Sequence, residues 1–278
     1  MPAPAPARST IPWVALLLAL APRPTTAQHT APPPIADNSL LIEEAYNQDP
    51  GVIQHISGWQ HDWHRGDWAY TFVQEWPVGG RTNQLSYTIP LLHLTGTSPI
   101  THVGDVALNY RYQLVYGART SVAPRVSLVL PTGSAATGTG AGAVGLQVSL
   151  PLSHAISDHL VTHWNLGAIL TPSARNAAAE RATTTAWFAG ASAVWHGTRT
   201  FDVLVETLWS RSALVTGPGT TTSGDTWWIN PALRWACNFS SGLQIVPAVG
   251  VPIGVGPSRG ARSVFLYLSF EHPLHRSR

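Results

Sequence analysis

The chain has 278 residues, 44% of them hydrophobic and only 11% charged, where soluble domains usually carry ~25% charged residues. Little of its surface is therefore ordinary solvated surface, and a formal charge of +2 gives no basis for nucleic-acid binding. Cys237 is the single cysteine, which excludes an intramolecular disulfide and a paired-cysteine metal site.

At the N-terminus the only unbroken apolar run is Trp13 to Ala21, well short of the ~20 residues a spanning helix needs. It follows Arg8 and ends before Thr25-Thr26-Ala27, a small-x-small site, so residues 1–27 read as a cleaved signal peptide on an exported protein. Residues 28–51 come next, first as an extended linker with Pro32-Pro33-Pro34. Asn38 to Gln48 then predicts a short amphipathic helix, with Asn38 as N-cap, Glu43 and Glu44 on its early turns and Asp49-Pro50-Gly51 as its stop. Such a segment is marginal alone in water, so it is expected to dock at or in the mouth of a larger body.

From Val52 onward the chain alternates apolar and polar residues with the period of two that marks a strand. The clearest hairpin spans Ser121 to Ser153. Val126, Leu128 and Leu130 share one face there, and Val144, Leu146, Val148, Leu150 and Leu152 share the returning one. Similar segments fall at 52–63, 67–77, 83–92, 103–116, 121–131, 143–153, 159–170, 186–197, 200–211, 226–237, 242–252 and 262–271. They predict an all-β, antiparallel up-and-down transmembrane barrel of about 12 strands over residues 52–271, with 272–278 as a tail.

Sorting of the connections by parity favours a membrane barrel over a water-soluble sandwich. Short links near 77–83, 116–121, 153–159, 196–200 and 238–242 alternate with longer ones at 93–102, 131–142, 171–185, 211–225 and 252–262; only 64–66 breaks the trend. Outer-membrane barrels alternate short periplasmic turns with long outer loops in this way. Trp63, Trp68, Trp76, Tyr116, Trp187, Trp195, Trp209 and Trp227 fall near the expected strand ends, where interfacial girdles form. Pro124, Pro231 and Pro247 lie inside expected strands, so each marks a bulge or a misplaced strand limit. The last strand places Val264, Leu266, Leu268 and Phe270 on one face.

The residues NSLLIEEAYNQDPGVIQHI (38–56), PRVSLVLPTG (124–133) and the returning strand to Leu152 resemble the outer-membrane family named for the meta-pathway of phenol degradation. The resemblance implies a barrel that passes small, hydrophobic or aromatic molecules across the outer membrane. It carries no catalytic residues and no cofactor. The partners it implies are outer-membrane lipid, an unnamed small solute and the barrel-assembly machinery during biogenesis.

Alternation gives a set of lumen-facing polar residues: Glu75, Asp105, Asn109, Arg111, Gln113, Arg125, Gln147, His163, Asn165, Asp202, Glu206, Asn230 and Arg234. In a barrel of this size they line a selective pathway or fill it as a salt-bridged plug of side chains. A non-conducting barrel with binding loops is the rival reading. His55 and Ser57, with Gln74 across the strand pair, have the His-x-Ser order of a membrane lipid hydrolase, but no acidic or Asn residue orients the histidine, and a structural role is expected. His55 and His61 lie six residues apart on one strand, ~20 Å at 3.3 Å per residue, too far to share a metal; His154 and His159 flank a short turn and are the closer pair. The Gly/Thr-rich stretch 132–142 lacks a phosphate-loop Lys and reads as a mobile surface loop.

Overall fold

A computed structural model describes residues 35, 39–96, 98–239 and 241–273. The expected signal peptide, the proline linker, the Asn38 cap and residues 274–278 lie outside the described residues. The described residues form twelve antiparallel strands in one closed sheet. These are β1 (Val52–Asp62), β2 (Trp68–Val78), β3 (Asn83–Leu94) and β4 (Ile100–Val103, Val106–Tyr112 and Val115–Tyr116). Next come β5 (Thr120–Val122 and Arg125–Leu130), β6 (Gly145–Ser157), β7 (Leu160–Arg175) and β8 (Arg181–Thr198). The circuit ends with β9 (Phe201–Gly217), β10 (Thr220–Trp235 and Cys237–Asn238), β11 (Gln244–Gly250 and Ile253–Gly254) and β12 (Ser263–Pro273). Each strand pairs with its sequence neighbours, and β1 closes on β12 from Val52↔Pro273 to Asp62↔Ser263. Closure removes the free edges that an open sheet leaves.

The period-two pattern sorts side chains onto two faces. On the outside, Leu108, Tyr110, Val126, Leu128, Leu146, Val148, Leu150 and Leu166 are exposed, whereas Asn109, Arg111, Glu206, Asn230 and Arg234 on the inner face are buried. This is the reverse of a soluble domain, where burial falls on the apolar face. No helix among the described residues is long and apolar enough to cross a membrane, so the apolar band belongs to the strands.

Several expected boundaries move. The stretches 171–185 and 211–225 are not long loops: β7 and β8 run to Arg175 and from Arg181, and β9 and β10 turn tightly at 218–219. Threonine and serine carry these hairpins past Trp187, Trp209 and Trp227, because β-branched residues favour extended backbone whether or not an apolar face is needed. Trp187, Trp209 and Trp227 therefore sit within these strands, while Trp195 lies near the end of β8 as expected. At the chain end the strand continues to Pro273, so 272–273 belong to the barrel and not to a tail.

Pro124, Pro231 and Pro247 each stand where a ladder lapses. Pro124 separates the two parts of β5. Pro231 lies between the pairs Ile229↔Ile253 and Ala232↔Gly250 of β10 and β11, and Pro247 lies opposite the lapse between Arg234↔Ala248 and Cys237↔Ile245. A residue without an N–H is tolerated at such gaps.

The expected helix does not form. Residues 39–48 have no helical turn; they run as a bent, extended strap inside the barrel. Its environment explains why: the wall offers a side-chain partner to one strap backbone group after another, which replaces the internal bonds a helix would make.

Candidate functional site

The strap is sewn to the wall by hydrogen bonds to its backbone N–H groups. Glu206 on β9 accepts from Leu41 (2.9 Å) and Ile42 (3.2 Å), Asn165 on β7 from Glu43 (2.7 Å) and Ser153 on β6 from Ala45 (2.8 Å). Gln113 on β4 accepts from Asn47 (2.8 Å), and Gln84 on β3 from Gln48 (2.7 Å). The strap thus crosses the lumen from β9 to β3 and passes to β1 through Asp49, which pairs with Arg81 in the turn 79–82.

Arg111 is the densest contact. Its Nε donates to Asn47 Oδ1 (2.8 Å), Nη1 to Glu43 Oε1 (3.1 Å) and the Glu44 carbonyl (3.2 Å), and Nη2 to the Tyr46 carbonyl (2.6 Å). Arg125 takes the other Glu43 oxygen at 3.2 Å, and Glu75 stands 3.7 Å from Arg111. Gln113 Nε2 donates to the Ala45 carbonyl (2.8 Å) and Asn165 Nδ2 to that of Glu43 (2.7 Å). Glu44 of the strap meets Arg234 and His163, each at 3.5 Å. Behind them Asp202 binds Arg234 and His196, both at 2.8 Å, and Asn230 donates to Glu206 at 2.7 Å.

Apolar contacts add to this, with Ile42 and Ala45 of the strap fully buried. Ile35 packs with Ala236 and Val246, and Leu40 lies against two small clusters, Ile56/Ala248/Tyr267 and Val194/Leu204/Ala232. Ile42 fits over Gly190, where an added Cβ would stand 2.3 Å from Ile42 Cδ1.

Arg111, Gln113, Arg125, Asn165 and Glu206 thus touch the strap directly, His163 and Arg234 reach it through Glu44, and Glu75, Asp202 and Asn230 back them. Asn109 sits apart and donates to Ser86 (3.1 Å) and Thr88 (3.2 Å), and Gln147 is half-buried on the inner face of β6. Asp105 binds the loop 131–144, accepting from the N–H groups of Gly133 (2.9 Å) and Ala141 (2.7 Å). That loop is therefore tied down rather than a mobile surface feature. Ser153 and Gln84, absent from the expected set, share its alternation and were legible on that ground alone.

Above the strap, toward the end opposite the termini, the inner face changes character. Ile169, Phe188, Leu208, Trp228 and Phe265 are all partly exposed there. On these strands the lumen turns apolar above the strap, while Ser86, Thr88, Asn109 and Gln147 keep the wall of β3, β4 and β6 polar at that height.

On the outer face, Ser57 Oγ lies 3.1 Å from Tyr70 OH, and His55 Nε2 lies 3.2 Å from His272 Nε2. Gln74 accepts from Tyr87 OH. The histidine and serine thus face different partners and form no nucleophile–base pair. His154 binds Thr120 Oγ1 at 2.9 Å, while His159 faces the His196 carbonyl at 3.4 Å, so these two do not meet.

No family model matches this sequence, and no curated protein does. Solved structures do. The chain is similar to an outer membrane channel from Pseudomonas putida F1, at 13% identity and a TM-score of 0.61, over 82% of this chain and 97% of that one. It is similar to the NanC porin at 11% identity and a TM-score of 0.50, over 78% and 98%. At these identities the likeness is one of fold. The chain has the closed antiparallel architecture of outer-membrane barrels.

Proposed function

We propose that this protein is a passive outer-membrane channel for small apolar or aromatic molecules, closed at rest by its own residues 39–48. In this reading the apolar outer face meets hydrocarbon, and closure of the sheet satisfies every wall position that lipid would leave without a partner. The signal-like N-terminus and the resemblance to the phenol-degradation family support export to the outer membrane. The short-turn end then faces the periplasm, and the strap enters the lumen from that side.

The observation that carries the proposal is the manner in which the strap is held. Side-chain hydrogen bonds to backbone groups can be exchanged for water once the segment moves, whereas a tightly packed core would have to be rebuilt. The strap is therefore a removable occupant, and the polar wall behind it becomes a hydrated path when it leaves. The aromatic residues above it suit apolar solutes, whose transfer onto such a surface is favourable. With no nucleotide-binding motif in the sequence, flux runs down the gradient.

The competing reading, a non-conducting barrel, draws on the same strap as a permanent plug. Uptake into liposomes separates the two. Arg111→Ala protein is expected to admit a small aromatic sulfonate, which bare lipid excludes, faster than the unaltered barrel and faster than protein-free liposomes; folded protein that admits it no faster than protein-free liposomes contradicts the channel reading.

A further inference from the structure

The loop 131–144 folds inward at the end of the barrel opposite the termini. Thr139 is buried, its carbonyl lying within 3.3 Å of where a Gly104 Cβ would stand, beside Pro90 and Leu92 of β3. Gly138 reaches Leu94, and the Ala141 carbonyl accepts from Arg175 N–H on β7 at 2.9 Å. The loop thus spans from the top of β3 to that of β7 on the inside of the wall, over the upper lumen.

One carboxylate ties its two ends together. Asp105 accepts from Gly133 and Ala141, one N–H on each oxygen, and these two residues lie near the two ends of the loop. Thr132 reinforces the first contact, since its Oγ1 donates to the Gly104 carbonyl (2.7 Å) and accepts from Val106 N–H (2.9 Å). The glycines are there for space. A Cβ on Gly140 would stand 2.4 Å from Asp105 Oδ1, and one on Gly133 the same distance from the Thr139 carbonyl.

We propose that Asp105 holds loop 131–144 as a fixed eyelet that sets the largest molecule able to enter the upper lumen. Asp105 is a positioning residue: it acts through the loop and touches no solute. The proposal deepens the channel reading and rests on it for its biological meaning, but the eyelet itself can be tested without flux. Charge-assisted bonds to backbone N–H groups are the stronger kind, and Asp105 supplies two of them to the ends of a loop whose middle is closed by bonds between Ser134 and Thr139.

The test uses Ala107→Cys, on the inner face two residues from Asp105, in full-length protein carrying Cys237→Ser. The protein is reconstituted in liposomes and labelled from outside with a small methanethiosulfonate and a bulky polymer-linked maleimide. Asp105→Asn keeps the side chain's size and loses one acceptor. It is expected to raise the bulky reagent's rate about tenfold, a typical consequence of losing one charge-assisted bond, and to leave the small reagent's rate unchanged. Gly140→Ala approaches the same contact from the loop and should give the same selective gain. Retained heat-modifiable mobility in gels establishes that each variant folds. Equal labelling by the bulky reagent with and without Asp105→Asn and Gly140→Ala, or a parallel rise for both reagents, overturns the eyelet. Size-selective labelling in a barrel that passes no solute keeps the eyelet and sinks the channel reading, so the two failures are distinct.

Discussion

At the scale of single residues, the strap's attachment is concentrated in Arg111 and Glu206, both buried. Arg111→Ala leaves Glu43 with Arg125 alone and strips a donor from the Glu44 and Tyr46 carbonyls. Removing one partner from a buried ion pair costs about 3–5 kcal/mol, so amide exchange over residues 41–48 is expected to become fast while the wall stays protected. Unchanged protection would mean that packing, not Arg111, holds the strap. Asp67 shows carboxylate chemistry in water. Bonds from Thr95, through Oγ1 (2.6 Å) and the backbone N–H (2.7 Å), hold its pKa below the ordinary aspartate value. A depressed folded pKa gives a contribution that is complete above the unfolded pKa and lost as pH falls through the folded one. The link between turn 63–67 and Thr95 should therefore loosen only in acid, seen as faster exchange at Thr95, and Asp67→Asn should abolish that pH dependence. Which face each of these polar residues takes was legible, because alternation fixes it. Their partners were not, since Asn165 and Glu43 lie 122 positions apart and no local pattern records such a pairing.

At the scale of elements, the strap and the long hairpins mark where sequence reasoning reached its limit. NSLLIEEAYNQ has helical spacing, yet a helix satisfies its own backbone, and here the wall does so instead. Gly190 supplies the room for Ile42. Gly190→Ala is expected to lift the strap at Ile42 and weaken the bond from its N–H to Glu206, speeding exchange at Ile42 while leaving that at Asn47 nearly unchanged; uniform loosening along the strap would contradict this local fit. The β9–β10 hairpin was misread as a loop because threonine and serine signal either a polar strand or a turn. Beyond Trp209 and Trp227 it no longer backs the strap site. Replacing residues 213–222 by a two-residue turn should leave heat-modifiable folding intact, and loss of folding would show that the protruding strands help to hold the barrel.

At the scale of the whole molecule, the fold was legible from the period of two and the scarcity of charge, because a closed barrel in lipid leaves so few alternatives; the sorting of connections holds only in part, since 171–185 and 211–225 are largely strand. The interior was less so: alternation marks a polar face but not what stands against it. The docking of residues 39–48 at or in the mouth was legible from their amphipathic pattern, but their extended path across the whole lumen was not. The most direct measurement is single-channel conductance in planar bilayers, comparing the unaltered protein with one lacking residues 39–48. The deletion is expected to convert a nearly silent barrel into one with long, stable open steps. Equal conductance in the two proteins, or silence in a strapless barrel that is demonstrably folded and inserted, would contradict the account.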